Sequence, residues 1–290
     1  MAPLSTFSIV AFDPELEAWG VAVASKFPAV GAVGPWAQAG AGALATQAFA
    51  NTSYGPQGLA ALATGLSAQK TLQDLIEADQ GRASRQVGLV DASGGAATYT
   101  GDDCNDWAGC TTGEGYAAQG NILTGPEVIE AMAAAFEASS ASLPDRLLAA
   151  LLAGDQTGGD RRGRQSAALL VVRQQAGYGG FNDRWLDYRV DDHEDPVPRL
   201  IELVDLHELY FGESPPEDKV PLADEVLEEL QRIMTKQGYF KGESDGELTD
   251  QTRRALRAFI GNENFEERVN LETGLIDRPV FEFLLRKHSN

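Results

Sequence analysis

Thr6-Phe-Ser-Ile-Val-Ala-Phe-Asp-Pro-Glu-Leu-Glu-Ala-Trp-Gly-Val-Ala-Val-Ala-Ser-Lys26 holds two runs of β-branched, aromatic and small apolar residues around the turn signal Asp13-Pro14-Glu15. Runs of this kind bounded by turn residues predict two strands, Thr6 to Phe12 and Ala18 to Ala24, paired as an antiparallel hairpin. The start of the first strand then lies beside the end of the second, which makes neighbours of Thr6 and Lys26. A threonine whose own α-amine is free can use it as a general base. A lysine ammonium nearby would lower that amine from its ordinary pKa of about 8 toward working pH. The plainer reading is an ordinary strand residue and a solvated strand end.

Outward from this hairpin, Val30 to Trp36 and Gly42 to Phe49 are apolar, Gly-rich stretches suited to strands pressed close on both faces. Pro56 to Leu66 opens with a proline fit for a first helical turn. Behind Ser67, a suitable N-cap, Leu72, Leu75 and Ile76 recur at helical spacing. Strands resume at Arg85 to Val90 and Ala96 to Thr100, joined by Ser93-Gly94-Gly95. Two helices follow at Val128 to Phe136 and Leu143 to Leu152, then strands at Ala167 to Val172 and Leu186 to Val190, and a helix at Val197 to Leu209. Strand hairpins alternate with helix pairs, unlike the strict alternation of a doubly wound sheet. The order predicts an α+β fold, a four-layer αββα sandwich, over residues 1–212.

Glu213-Ser-Pro-Pro-Glu-Asp218 follows as a short polar linker, stiffened by its adjacent prolines. Residues 217–290 then carry three helical stripes: Val226, Leu227, Leu230, Ile233 and Met234; Ala255, Leu256 and Phe259; Val280, Phe281, Phe283 and Leu284. They predict a small, mostly helical second domain.

The 290 residues are 43% hydrophobic, enough for a sizeable core, and their formal net charge is −20. That charge argues against nucleic acid and against anionic lipid as partners. No apolar run approaches the roughly 20 residues of a membrane helix. The N-terminus has no basic residue ahead of its apolar stretch, and two cysteines make no disulfide framework, so a cytoplasmic location is expected. Three histidines and two cysteines leave Ser, Thr, Lys, Asp, Asn or the chain's own amine to carry any chemistry. No cofactor is expected.

Other clusters admit two readings each. Gln119, Gly120 and Asn121 form a polar loop before a helix, fit to stabilise an oxyanion or merely to cap the loop. Thr46 and Gln47 interrupt an Ala-rich strand and must find partners. Gly158-Gly159 before Asp160 would present Arg161, Arg162 and Arg164, either to a substrate carboxylate or to neighbouring acids. Asp191, Asp192, His193 and Asp195 have metal-ligand chemistry, but they crowd a helix start and predict no metal site. Cys104 and Cys110 lack the further ligands a zinc site requires.

Thr6-Phe-Ser-Ile-Val-Ala, Gly20-Val-Ala-Val-Ala-Ser-Lys26, Gly31-Ala-Val-Gly-Pro-Trp-Ala37 and Ala45-Thr-Gln-Ala-Phe-Ala-Asn51 resemble blocks of the domain-of-unknown-function 1028 family. So do Gly115-Tyr-Ala-Ala-Gln-Gly-Asn-Ile-Leu123, Gly158-Gly-Asp-Arg-Arg-Gly-Arg-Gln-Ser-Ala-Ala168 and Arg189-Val-Asp-Asp-His193. The resemblance spans Thr6 to Gly212. It implies the N-terminal-nucleophile hydrolase fold, with Thr6, Lys26, Gln47 and Asn121 as catalytic candidates. Ser25, Thr46, Asp160, Arg164, Gln165 and Ser166 are then candidates for holding the substrate. Members commonly begin Met-Thr-Phe-Ser-Ile-Val, whereas here Met1-Ala-Pro-Leu-Ser5 precedes Thr6, so a free amine requires the Ser5–Thr6 bond to break.

Leu230-Gln231, Gly238-Tyr-Phe-Lys-Gly242, Asp245-Gly246, Thr252, Ala255-Leu256 and Phe259 resemble a peptidoglycan-binding-like module, with Tyr239 and Phe240 placed to stack on a sugar. Structural or dimerising use of that module is the competing reading. The expected activity is cleavage of an amide bond in a small or peptide-like substrate, in a chain open to homo-oligomer formation. The alternative is a non-catalytic scaffold that keeps the fold and binds cell-wall carbohydrate or peptide.

Overall fold

The computed structural model describes residues 6–288. The chain divides into two compact units between Glu202 and Leu203.

The first unit runs β1 (Thr6–Asp13), β2 (Ala18–Ser25), β3 (Pro35–Gln38), β4 (Gly42–Ala48), α1 (Tyr54–Ala63), α2 (Ala68–Ala78), β5 (Arg85–Asp91) and β6 (Ala96–Thr100). It continues with β7 (Gly109–Gly113), β8 (Tyr116–Asn121), α3 (Glu127–Ala138), α4 (Leu143–Gln156), β9 (Ser166–Arg173) and β10 (Arg184–Val190). The last helix, α5 (Pro196–Phe211), contains the division between the units. One antiparallel sheet has the order β10-β9-β2-β1-β8-β7 and the other β3-β4-β5-β6.

The sheets face each other, with α1 and α2 on the outside of the four-stranded sheet and α3 and α4 on the outside of the six-stranded one. This is the αββα sandwich that the element order predicts. Strand alternation divides the apolar residues among the layers. Leu44, Val87 and Leu89 meet Leu59, Leu62, Leu72 and Leu75 of the first helix pair. Val10, Val21, Ala43, Ala45, Val90 and Val172 pack between the sheets. Burying each of these valines and leucines contributes about 1.5–3 kcal/mol relative to exposure, and each alanine less. Ser67 and Ser142 cap α2 and α4, accepting from Lys70 N and Asp145 N.

Two segments depart from the sequence reading. The strand expected over Val30 to Trp36 is a single 3-10 turn, Val30–Ala32, followed by the short β3. Ala29 adopts a left-handed conformation, which ends any extended run, and Pro35 cannot donate to a ladder and so opens an edge strand. The expected loop at Gln119-Gly-Asn121 is the buried end of β8, with β7 beside it.

The second unit comprises the end of α5, then β11 (Lys219–Pro221), α6 (Asp224–Lys236), α7 (Asp250–Glu263), β12 (Val269–Asn270), β13 (Leu275–Asp277) and α8 (Arg278–His288). Its core joins Leu227, Leu230, Met234, Leu256, Phe259, Phe265, Ile276, Val280 and Leu284. A three-stranded sheet, β11-β13-β12, accompanies the helices; strands of two or three residues leave no alternation to read. The expected linker is also tied down: Arg268 donates to Ser214 Oγ and Glu208 O and pairs with Asp277 at 2.7 Å.

Candidate active site

The register of the six-stranded sheet aligns Ser166, Ser25, Thr6 and Asn121 in one row across β9, β2, β1 and β8. Paired residues share a face, so this polar row points between the sheets at one end of the sandwich. All four residues are buried, Thr6 completely. Thr6 Oγ1 donates to Ser25 Oγ at 3.2 Å.

Behind that row stands a hydrogen-bonded network of fully buried side chains. Gln47 Nε2 donates to Thr6 O at 3.2 Å, to Gln86 Oε1 at 2.7 Å and to Gln119 O at 3.3 Å. Ser8 Oγ donates to Gln47 Oε1 at 2.7 Å and accepts from Gln119 Nε2 at 2.6 Å. Gln86 accepts Asn121 Nδ2 at 3.0 Å and donates to Gly120 O at 2.8 Å and Thr100 Oγ1 at 2.9 Å. Buried amides of this kind cost several kcal/mol unless partnered, and here the partners are one another. Gln47 has its amide hydrogens engaged, one of them on the carbonyl of Thr6 itself.

Lys26 lies one residue beyond the Thr6 partner. The four-residue connection Pro14–Glu17 sets a register that places Ser25, not Lys26, opposite Thr6. The Lys26 ammonium donates to Arg164 O at 3.1 Å, and its backbone N–H to Asp160 Oδ2 at 2.9 Å. Asp160 also pairs with Arg162 at 3.0 Å, which fastens the loop after α4 to the end of β2. Thr46 faces the outer helices rather than Thr6, its hydroxyl on Asn51 O at 3.4 Å. Ser166 donates to Phe27 O and accepts from Val30 N, anchoring the turn after β2. Gln165 Nε2 donates to Asp192 Oδ1, and Asp195 N donates to His193 Nδ1.

A cavity of about 320 Å³ opens at this end of the strands, its wall including Phe7, Ala24, Ser25, Asp155, Arg164 and Glu194. Gly159, at φ +50°, lets the loop come close to the Phe7 ring. Arg164 is held on both sides, by Asp155 at 2.9 Å and Asp195 at 2.8 Å. Burial pushes the Asp155 carboxyl above its usual range, against the pull of Arg164. Of the two partners the sequence offered Arg164, a substrate carboxylate or neighbouring acids, the fold supplies two protein carboxylates. Among the described residues, no group of three His, Cys, Asp or Glu side chains is placed to hold a metal. The Ser5–Thr6 bond lies outside the described residues.

Sequence reasoning missed Gln86, the hub of the network. Its signal was available: a glutamine within the strand Arg85 to Val90, just ahead of its apolar run, the same signal that marked Gln47.

In the second unit, Gln231 is fully buried, donating to Asp245 Oδ1 at 2.9 Å and accepting Gly246 N at 2.9 Å. The Asp-Gly motif therefore ties a turn to α6. Phe240 sits in the core, and Tyr239 packs edge-on against Phe259 at 5.6 Å, so a sugar would not stack on Phe240. A shallow cavity of about 420 Å³ lies by Arg257, Glu266, Asn270 and Glu272. Among the described residues, no helix is long and apolar enough to cross a membrane.

Residues 210–284 match the family model described as "Putative peptidoglycan binding domain". No curated protein matches the chain. A crystal structure of a DUF1028 protein from Silicibacter pomeroyi is similar, with a TM-score of 0.64 and 33% identity, covering 70% of this chain and 89% of that one. The family model described as "Family of unknown function (DUF1028)" matches residues 6–200, more than half of the sequence, and the chain belongs to that family.

Proposed function

We propose that the first unit is an amide-bond hydrolase of the N-terminal-nucleophile type, acting on a small or peptide-like substrate with Thr6 as its nucleophile. The observation that carries this reading is the place of Thr6: a buried hydroxyl at the head of a central strand, bonded to Ser25, with its backbone carbonyl held by Gln47 and a cavity at the same strand end.

Once the Ser5–Thr6 amide is broken, the Thr6 amine takes the hydroxyl proton as Oγ1 attacks the substrate carbonyl. Collapse of the tetrahedral intermediate expels the leaving amine, which receives that proton, and leaves an ester on Thr6. Water, deprotonated by the same amine, then hydrolyses the ester. Ser25 orients the hydroxyl, and Asn121, opposite Thr6 on β8, is the candidate donor to the oxyanion. Gln47 positions the Thr6 backbone. Lys26 adds positive charge one residue past Ser25, while Asp160 and Arg164 line the cavity wall and Gln165 and Ser166 brace the segments beside it. The second unit would bind cell-wall carbohydrate or stem peptide; with the chain in the cytoplasm, its ligand would be a released fragment.

A scaffold that lost catalysis is the second reading, favoured by one observation: the polar atoms of Lys26 and Gln47 are committed to protein carbonyls and amides. Intact mass separates the two. The hydrolase predicts loss of Met1 to Ser5 and turnover of at least one amide in a panel of small peptides and acyl-amines. Turnover that Thr6→Ala leaves undiminished would overturn the assignment.

A further inference from the structure

Register places Ser25 and Asn121 on either side of Thr6, and the residue just beyond each of them brings a cation to the head of β1. Lys26 follows Ser25. Its exposed ammonium donates to Arg164 O, a neutral carbonyl, and has further hydrogens to give. Ile122 follows Asn121, and its carbonyl accepts from Arg161 N at 3.0 Å. Asp160 spans the space between. It bridges Leu123 on the β8 side, and its carboxylate accepts from Lys26 N at 2.9 Å on the β2 side. The segment therefore crosses the head of β1, and Lys26 and Arg161 stand on opposite flanks of Thr6.

The arginines after Gly159 divide by partner. Arg162 pairs with buried Asp160 at 3.0 Å, and Arg164 with Asp155 and Asp195. Arg161 is exposed, and among the described residues its guanidinium has no hydrogen bond, ion pair or ring partner. Every other arginine of the first unit has one. Arg82 and Arg146 reach backbone carbonyls, Arg173 lies over the Trp185 ring, and the rest meet carboxylates. With 43 acidic residues to 23 basic ones, acids are plentiful in this chain, and still none is placed on Arg161.

We propose that Lys26 and Arg161 clasp a carboxylate of the substrate. The amide cleaved at Thr6 is then one with a free carboxyl group close to the scissile bond, as in an N-acyl amino acid or the C-terminal end of a short peptide. The cleavage rests on the hydrolase reading; the binding does not. A guanidinium offers a carboxylate two parallel N–H donors, and an ammonium adds a point charge. The cavity wall carries Asp155 and Glu194, which disfavour an anion there and leave the strand head as its seat.

Titration calorimetry of the wild-type chain with paired N-acetyl dipeptide ketones tests the clasp. In these ligands a methylene replaces the nitrogen of the scissile amide, and each pair ends in a free carboxylate or in a carboxamide. The free acid is expected to bind about tenfold or more tightly, the scale of one charge-assisted hydrogen bond or two. Arg161→Gln is expected to erase that difference and Arg161→Lys to keep part of it. Both should melt as wild type does, because the guanidinium touches no described protein group. Pairs that bind alike, or do not bind at all, across a panel of C-terminal residues overturn the proposal. So does an Arg161→Gln variant that keeps the preference or weakens both members equally. Carboxylate preference without turnover of the corresponding amides upholds the clasp and overturns the hydrolase instead.

Discussion

The two ends of the layer between the sheets obey the same strand alternation and are filled by opposite chemistry. At one end Trp19, Val21, Ala43, Val90 and Val172 pack as hydrocarbon. At the other, Thr6, Ser8, Ser25, Gln47, Gln86, Gln119 and Asn121 fill equivalent inward positions with hydroxyls and carboxamides, all buried. The apolar end is stabilised by area removed from water and tolerates repacking. The polar end is stabilised only while each donor keeps its acceptor, and so it is geometrically specific. A sandwich selected for stability alone would gain nothing from three buried glutamines behind one threonine. Their arrangement holds the backbone carbonyl of Thr6 through Gln47, while Ser25 takes its hydroxyl.

The sharpest way to break this comparison is at Thr6. Thr6→Ala is expected to lower amide hydrolysis by about a thousandfold or more while leaving the melting temperature close to wild type, measured by turnover and calorimetry. Gln86→Leu is expected to cost roughly 3 kcal/mol of unfolding free energy, because Gln47, Asn121 and Gly120 O lose partners together. It should also lower activity per folded molecule. At the apolar end, Val21→Ala is expected to cost about 2 kcal/mol in a denaturant titration with activity per folded molecule unchanged. If Val21→Ala reduced activity as much as Gln86→Leu, the two ends would not differ in role.

The smallest effect concerns pH. The inward side chains named at the polar end are hydroxyls and carboxamides, so the clearest acid effect is expected elsewhere. Arg85 holds the Asp79 carboxyl well below the usual range, assisted by Asn51, Gly81 N and Tyr54 and opposed by burial. A carboxyl depressed by folding stabilises above its unfolded pKa of about 3.9 and loses that contribution as pH falls. Wild type is therefore expected to lose more stability between about pH 5 and pH 3 than Asp79→Asn, measured by urea unfolding.

The layers were legible in the sequence because hydrophobic period distinguishes hairpin pairs from helix pairs. The Thr6 end was legible only as far as the chain's own order: Thr6, Ser25 and Lys26 stand in one hairpin. Which residue faces Thr6 depended on register, and the turn at Pro14–Glu17 chose Ser25 over Lys26. The Gln47–Gln86–Gln119 network joins three strands distant in sequence, so no local pattern could assemble it. β7, with two glycines, a cysteine and two threonines, lacks the apolar alternation that announces a strand. For Arg164 the sequence left a substrate carboxylate and neighbouring acids both open, because Asp155 and Asp195 reach it only through the fold.

The chain has no Lys or Arg between Met1 and Lys26, so trypsin releases its whole N-terminal segment as one peptide. Mass spectrometry of that peptide, after reaction with an electrophilic amide analogue such as a β-lactone, tests the nucleophile most directly. The predicted result is a peptide beginning at Thr6 and ending at Lys26, carrying one acyl adduct on Thr6. Amide-hydrolysing protein whose peptide still begins at Met1 or Ala2, with the adduct on another residue, would contradict it.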